Sequence, residues 1–331
     1  MVAHLLAVQA QDPRSARLAV RSRTTALLAN DLDRELSLTR GLVVGWLARG
    51  TLHMVCVEDY AWLLGLTAPA RHAHSLHRLA QEGLTPSEIQ RGVQIIERSL
   101  AADGPLTRSV LADRVAAADI RAAGQAIVHM IMLTALRGIL IPAATSVDHD
   151  SFALTDDWLG ARPAAHLDGE ARDAALGELA RRYLRGHGPA RDRDLARWAG
   201  LRLRDARRGL ELIANELVQL QGDLLILRDF PPVDAPLGPV LLPSYDPYLL
   251  GWEDRGFAVA PAHDKRVHPG GGVLRAVACV DGLAVGTWTA RRQSSGLTVV
   301  VDPFSALPAG ISRELTDDSI DLARFEGVNL T

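Results

Sequence analysis

The 331-residue chain is 48% hydrophobic and 23% charged, with a formal net charge of −3 at pH 7. Such a composition describes a globular protein long enough for two or three domains, without the overall basic character of many nucleic-acid binders. Cys56 and Cys279 are the only cysteines, which excludes a disulfide framework and zinc-type spacing. No apolar run reaches the roughly 18 residues of a membrane span and the start lacks a signal-type segment, so a cytoplasmic location is expected.

In chain order, Leu5, Leu6 and Val8 read as the buried face of a short helix, with Asp12 and Pro13 as N-cap and first position of the next. Gln9 and Gln11 then sit at a helix end. Two residues apart on a helix they would diverge by about 200°, so the helix is expected to end near Ala10, with both amides facing Arg14, Arg17 and Arg21. Those arginines recur at helical spacing with no acid between residues 13 and 30, a cationic stripe suited to a polyanion. The plain alternative for the glutamines is solvated surface. Leu36 to Leu47 shows a helical apolar stripe ended by Gly50, a β-rich strand follows at Thr51–Val57, and Asp59 would cap a further helix.

Pro86 opens a long helix ending near Ala102. Gly104-Pro105 follows, then a helix carrying Val110, Leu111 and Val115, an apolar helix from Ile120 to Leu136, and a hairpin of Ile139–Pro142 with Ser151–Leu154. The order recurs downstream. Gly188-Pro189 lies 84 positions after Gly104-Pro105, and Leu195-Ala196 repeats the interval to Leu111-Ala112. A helix over Arg204–Asn215 then leads into a hairpin turning at Gly222-Asp223. Such an internal repeat predicts tandem winged helix-turn-helix units. The expected fold is mainly α with β-hairpin wings (α+β), divided into winged-helix units at 1–66, 67–160 and 161–230 and a small, mainly β domain at 231–331. Pro231, Pro232, Pro236, Pro239 and Pro243 mark the entry to that domain, and Asp281-Gly282 its clearest hairpin.

Residues 180–208 hold ten arginines against Asp192, Asp194 and Asp205, while acids predominate after residue 310. The arginine-rich stretch reads as a backbone-binding surface or as a solvated helix face. His72, His74 and His77 lack the geometry and the companion ligands of a zinc site, and no metal is expected. Gly270-Gly271-Gly272 lacks the ending of a phosphate loop, no G-x-S-x-G elbow occurs, and no cofactor is expected. Glu253-Asp254-Arg255, near Tyr245-Asp246, reads as a structural salt-bridge cluster.

Val8-Gln9-Ala10-Gln11-Asp12, Arg49-Gly50-Thr51-Leu52-His53, Leu241-Leu242-Pro243-Ser244-Tyr245-Asp246-Pro247-Tyr248-Leu249-Leu250-Gly251, and Val280-Asp281-Gly282 with Gly286-Thr287-Trp288 occur in that order across nearly the whole chain. Together they make the sequence resemble the winged-helix DNA glycosylases of the AlkZ/YcaQ type. The resemblance implies a tandem winged-helix scaffold that grips double-stranded DNA and excises N7-alkylated purines, including crosslinked ones in some members. Gln9 and Gln11 would position the water or contact the lesion. Arg14, Arg17, Arg21, Arg49, Thr51, His53, Arg204, Arg207 and Arg208 are the expected DNA contacts. Members of that family usually carry a few tens of residues ahead of the Gln-x-Gln stretch; eight precede Gln9 here, so either the start is placed too late or the first helix is missing, and in the second case the support behind the glutamines is expected to be thinner. A monomer is expected. The rival readings are a non-catalytic winged-helix regulator and a member whose helices serve protein interaction.

Overall fold

The computed structural model describes residues 1–143, 150–231, 237–294 and 296–331; Pro232 and Pro236 lie outside them. The chain opens with α1 (Val2–Leu5), β1 (Val8–Gln9), α2 (Pro13–Arg21), α3 (Ala29–Ser37), β2 (Leu42–Trp46) and β3 (Leu52–Cys56). The strands form one antiparallel sheet in the order β1-β3-β2. A helix, a strand, two helices and a hairpin, with the third strand central, is the winged-helix arrangement.

α4 (Val57–Gln81) leads to a second copy: α5 (Pro86–Asp103), β4 (Leu106–Thr107), α6 (Arg108–Ala116), α7 (Gln125–Leu136), β5 (Leu140–Ala143) and β6 (Ser151–Leu154). Its sheet again runs first-third-second, β4-β6-β5. After α8 (Thr155–Leu159), the third copy comprises α9 (Gly169–His187), α10 (Asp192–Ala199), α11 (Leu203–Leu212), β7 (Leu217–Gln219) and β8 (Leu225–Leu227). Here the first strand has shrunk to a single bridge, Ala190 to Leu225.

The last part holds β9 (Val240–Leu242), α12 (Pro247–Leu250), α13 (Asp264–Val267), β10 (Val277–Val280), β11 (Leu283–Gln293), β12 (Gly296–Pro303) and α14 (Ala309–Phe325). Its sheet is β12-β11-β10-β9. Local chemistry sets many of the boundaries. The Asp12 carboxylate accepts the Ser15 amide, with Pro13 in the first turn of α2, and Thr85 and Glu88 make a reciprocal capping box on α5. Asp281 and Gly282, at φ 48° and 80°, form the paired left-handed turn that joins β10 to β11.

Four expectations need correction. The stripe from Leu36 to Leu47 is not one helix: α3 stops at Ser37, and β2 occupies Leu42–Trp46. Both faces of β2 are buried, Val43 in one core and Val44 in another, so the alternation that marks a strand is hidden. The second correction concerns the expected break at residues 66 and 67, which falls inside α4; the first two copies are joined by a continuous helix. Third, Leu5 to Val8 is not one helical face, because Leu6 has φ 67° and the chain becomes extended at Val8. Fourth, the acidic stretch near the C-terminus is α14, which adds a helix to the sheet of the last part. One core joins Leu18 and Leu32 of the first copy to Trp288, Leu315 and Phe325, so the two ends of the chain form a single packed body.

Candidate active site

The site is built around the loop that joins β2 to β3, the wing of the first copy. β1 pairs beside it, with Val8 opposite Met54 and Gln9 opposite His53. An extended backbone alternates its side chains. Val8 and Ala10 are therefore buried, while Gln9 is half-buried and Gln11 exposed. Gln9 lies on β1 and Gln11 in the bend between β1 and the Asp12 cap of α2, so the pair follows a short strand rather than the end of a helix. Behind them α1 packs against α9, which supports the segment from the N-terminal side.

At the wing tip, Arg49 takes a left-handed backbone at φ 56° and Gly50 follows at φ 73°. Arg49 Nη2 donates to Gln9 Oε1 at 3.0 Å, and Nη1 donates to the Trp198 carbonyl at the end of α10. Gly200 makes that approach possible: a Cβ there would stand 2.7 Å from the Arg49 nitrogen. The Gln11 carbonyl oxygen lies 3.4 Å from the Leu52 amide, so both glutamines touch the wing. His53 is 1% exposed. Its Nδ1 is 3.0 Å from the Thr51 carbonyl, which places the proton on Nδ1 and leaves Nε2 facing Arg49 Nη2 at 3.5 Å. Burial, reinforced by the Arg49 cation, pushes the His53 pKa down to about 3, so the ring is neutral. Thr51 directs its hydroxyl to the Ala48 carbonyl at 3.3 Å and closes the turn.

Three more guanidinium groups act on Arg49. Burial first, then the charges of Arg197, Arg71 and Arg255, pull its pKa down to about 10. Among the described residues no carboxylate hydrogen-bonds to Gln9, Gln11, Arg49 or His53. Beside Gln11 opens a cavity of about 420 Å³, lined by Pro13, Trp46, Leu52, Ile131, Met132 and Phe152 among others, within the size range of small-molecule sites.

The expected stripe on α2 does not exist as a free cationic surface. Arg21 is 2% exposed and pairs with Asp318 at 2.7 Å and Asp321 at 3.3 Å. Arg14 pairs with Glu326 at 2.8 Å, and Arg17 pairs with Asp33. The acidic C-terminal helix and its flank thus neutralise much of α2. Of the α11 arginines, Arg207 pairs with Asp192 at 2.7 Å and Arg208 with Asp173 at 2.6 Å, while Arg204 projects into solvent. Arg181 and Arg182 of the arginine-rich stretch are engaged by Glu216 and Asp59. The buried Asp246 pairs with Arg23 at 2.5 Å, not with Arg255. Arg71 and Arg255, now beside Arg49, lay in sequence stretches read for other reasons, and only their convergence in space distinguishes them.

A tandem winged-helix protein with a polar, cation-rich notch at its first wing is the class that fold and site define. The chain belongs to the DNA glycosylase AlkZ-like family, whose model matches residues 2–325. Among solved structures it is similar to the Streptomyces sahachiroi DNA glycosylase AlkZ, at 24% identity and a TM-score of 0.78, over 100% of this chain and 92% of that one. No curated protein matches the sequence. Membership makes the chain a DNA glycosylase, a hydrolase of N-glycosyl bonds in DNA, and decides against a non-catalytic regulator. Among the described residues no helix is long and apolar enough to cross a membrane.

Proposed function

We propose that the enzyme excises N7-alkylated purines, crosslinked ones included, from double-stranded DNA, with Gln9 and Gln11 positioning the attacking water. The observation that carries this reading is a pair of neutral amides that both contact the first wing, bordered by cations and a neutral histidine, with no carboxylate bonded to them among the described residues. Alkylation at N7 leaves the purine positively charged, so the base departs neutral and needs no strong general acid. What remains is to orient water and to stabilise the developing sugar cation by position and electrostatics. An amide can orient water through its acceptor and donor groups, but it cannot serve as a base at ordinary pH. Such a site suits bonds already weakened by charge and leaves ordinary bases alone.

The cavity beside Gln11, at about 420 Å³, leaves room for a substituent carried on N7. His53, fully buried, would act as a positioning residue that fixes Arg49 and, through it, Gln9. The test is a duplex with a single N7-methylguanine, incubated with the enzyme and then cleaved at abasic sites. Strand breaks at that position alone are expected. Breaks at unmodified guanine, or none at all, would remove the reading.

A further inference from the structure

Four arginines from four separate segments gather at the first wing: Arg49 on the wing itself, Arg71 on α4, Arg197 on α10 and Arg255 after α12. Several independent features place them. Arg49 reaches the Trp198 carbonyl, next to Arg197 in sequence. A Cβ on Gly50 would stand 2.9 Å from Arg71 Cδ, so Arg71 lies directly against the wing. Arg255 is held through Nε by the Leu249 carbonyl at 2.6 Å. Its loop is tied to α10 where the Glu253 amide donates to the buried Asp194 carboxylate at 2.9 Å.

Among the described residues none of the four makes an ion pair, whereas Arg14, Arg17, Arg21, Arg23, Arg181, Arg182, Arg207 and Arg208 all do. Asp254 and Asp264 offset part of the charge on Arg255, yet its pKa is still lowered, by burial and then by Arg197. A non-glycine residue held at φ 56° adds backbone strain at the centre of the cluster. Like charges brought together and partly desolvated, with strain at their focus, are an arrangement that a polyanion would relieve.

We infer that Arg49, Arg71, Arg197 and Arg255 form a clamp for the DNA phosphates that flank the target nucleotide. The guanidinium fork matches phosphate oxygens, and the contact between Arg49 and Gln9 sets the clamp beside the reacting bond. The clamp takes its position from the proposal that Gln9 and Gln11 mark that bond. It also moves DNA recognition off α2 and onto residues that are free of acids.

The test uses Arg197→Gln, Arg255→Gln and the double variant, on duplexes with one N7-methylguanine whose flanking phosphates are either natural or neutral methylphosphonates. Each substitution should lower the slope of log affinity against log salt by about one. Arg197→Gln should melt no lower than the wild type, because it removes repulsion without removing a side-chain bond among the described residues, whereas Arg255→Gln also loses its bond to the Leu249 carbonyl; duplex should protect both from melting less than it protects the wild type. Neutralising the flanking phosphates should weaken wild-type binding several-fold while weakening the double variant far less, the signature of direct coupling. Unchanged salt slopes, equal methylphosphonate effects on wild type and double variant, or a clear fall in the melting temperature of Arg197→Gln would each overturn the clamp. If the wild type fails to excise N7-methylguanine while the coupling persists, the lesion assignment falls and the clamp stands. If it excises the base without coupling, the reverse holds.

Discussion

Replacing Arg21 by Met tests whether α2 is a structural brace or a DNA contact. Arg21 grips Asp318 with both terminal nitrogens, at 2.7 and 3.0 Å, and also donates to the Leu241 carbonyl at 3.0 Å. Its side chain is 1% exposed, whereas those of Asp318 and Asp321 are 19% and 39% exposed. Removing one partner of a buried pair costs about 3–5 kcal/mol. The two acids can regain water, and Asp318 keeps the Leu241 amide at 2.7 Å, so the lower end, about 3 kcal/mol, applies. Urea denaturation of Arg21→Met against wild type measures that loss. The double variant Arg21→Met/Asp318→Asn should recover part of it, since the uncompensated charge is gone. The salt slope of DNA binding should be unchanged in the folded variant. Stability equal to wild type, together with a salt slope lower by about one, would refute the brace and restore the stripe.

Other consequences follow from the same contacts. His53 stays neutral in the folded protein down to pH about 3, whereas the unfolded chain protonates it near 6.5, so the unfolded state binds more protons between those values. Its contribution is present above about pH 6.5 and is lost as pH falls toward 3, by up to about 1.4 kcal/mol per unit; denaturation at pH 7 and pH 5 should show a shallower dependence in His53→Leu. Gly200→Ala puts a Cβ 2.7 Å from the Arg49 nitrogen at a left-handed position, costing at least about 1–2 kcal/mol. It should displace Arg49 and lower both DNA affinity and excision, and normal values for both would count against the wing as the site. Met132→Trp narrows the cavity beside Gln11, and the excision rate for N7-benzylguanine relative to N7-methylguanine should drop by about tenfold. An unchanged ratio means that the N7 substituent lies elsewhere.

The repeat was legible because its punctuation is local. Gly104-Pro105 and Gly188-Pro189, the caps, and the turns at Gly222-Asp223 and Asp281-Gly282 depend on residues that act within one turn of chain. β2 was not legible, since Val43 and Val44 face two different cores and leave no polar alternation to read. α7 lacks a one-sided stripe, since Ile127, Met130, Ile131, Leu133 and Leu136 are all buried, yet it was legible as a long apolar run closed by Gly138. At the site, the Gln-x-Gln stretch was visible but its geometry was not. A strand pairing with residues 53 and 54 is a long-range property, and it is what sets Gln9 beside the wing. Charge misled in the same way. Arg21 and Asp318 are 297 positions apart, so a sequence window sees one bare cation and one bare acid. Arg49, Arg71, Arg197 and Arg255 gain their meaning only from being brought together.

Single-turnover excision of N7-methylguanine by Gln9→Ala and Gln11→Ala, measured beside duplex affinity, tests the central claim most directly. Neither side chain is charged, and among the described residues each hydrogen-bonds at the wing, Gln9 through Arg49 and Gln11 near the Leu52 amide. If they hold the water, each substitution slows excision by about ten- to a thousandfold, the range for losing one positioning or charge-stabilising contact, while affinity stays within about threefold, since phosphate contacts supply most of the binding. Excision at the wild-type rate in both variants, or a loss of affinity as large as the loss of rate, would contradict the assignment.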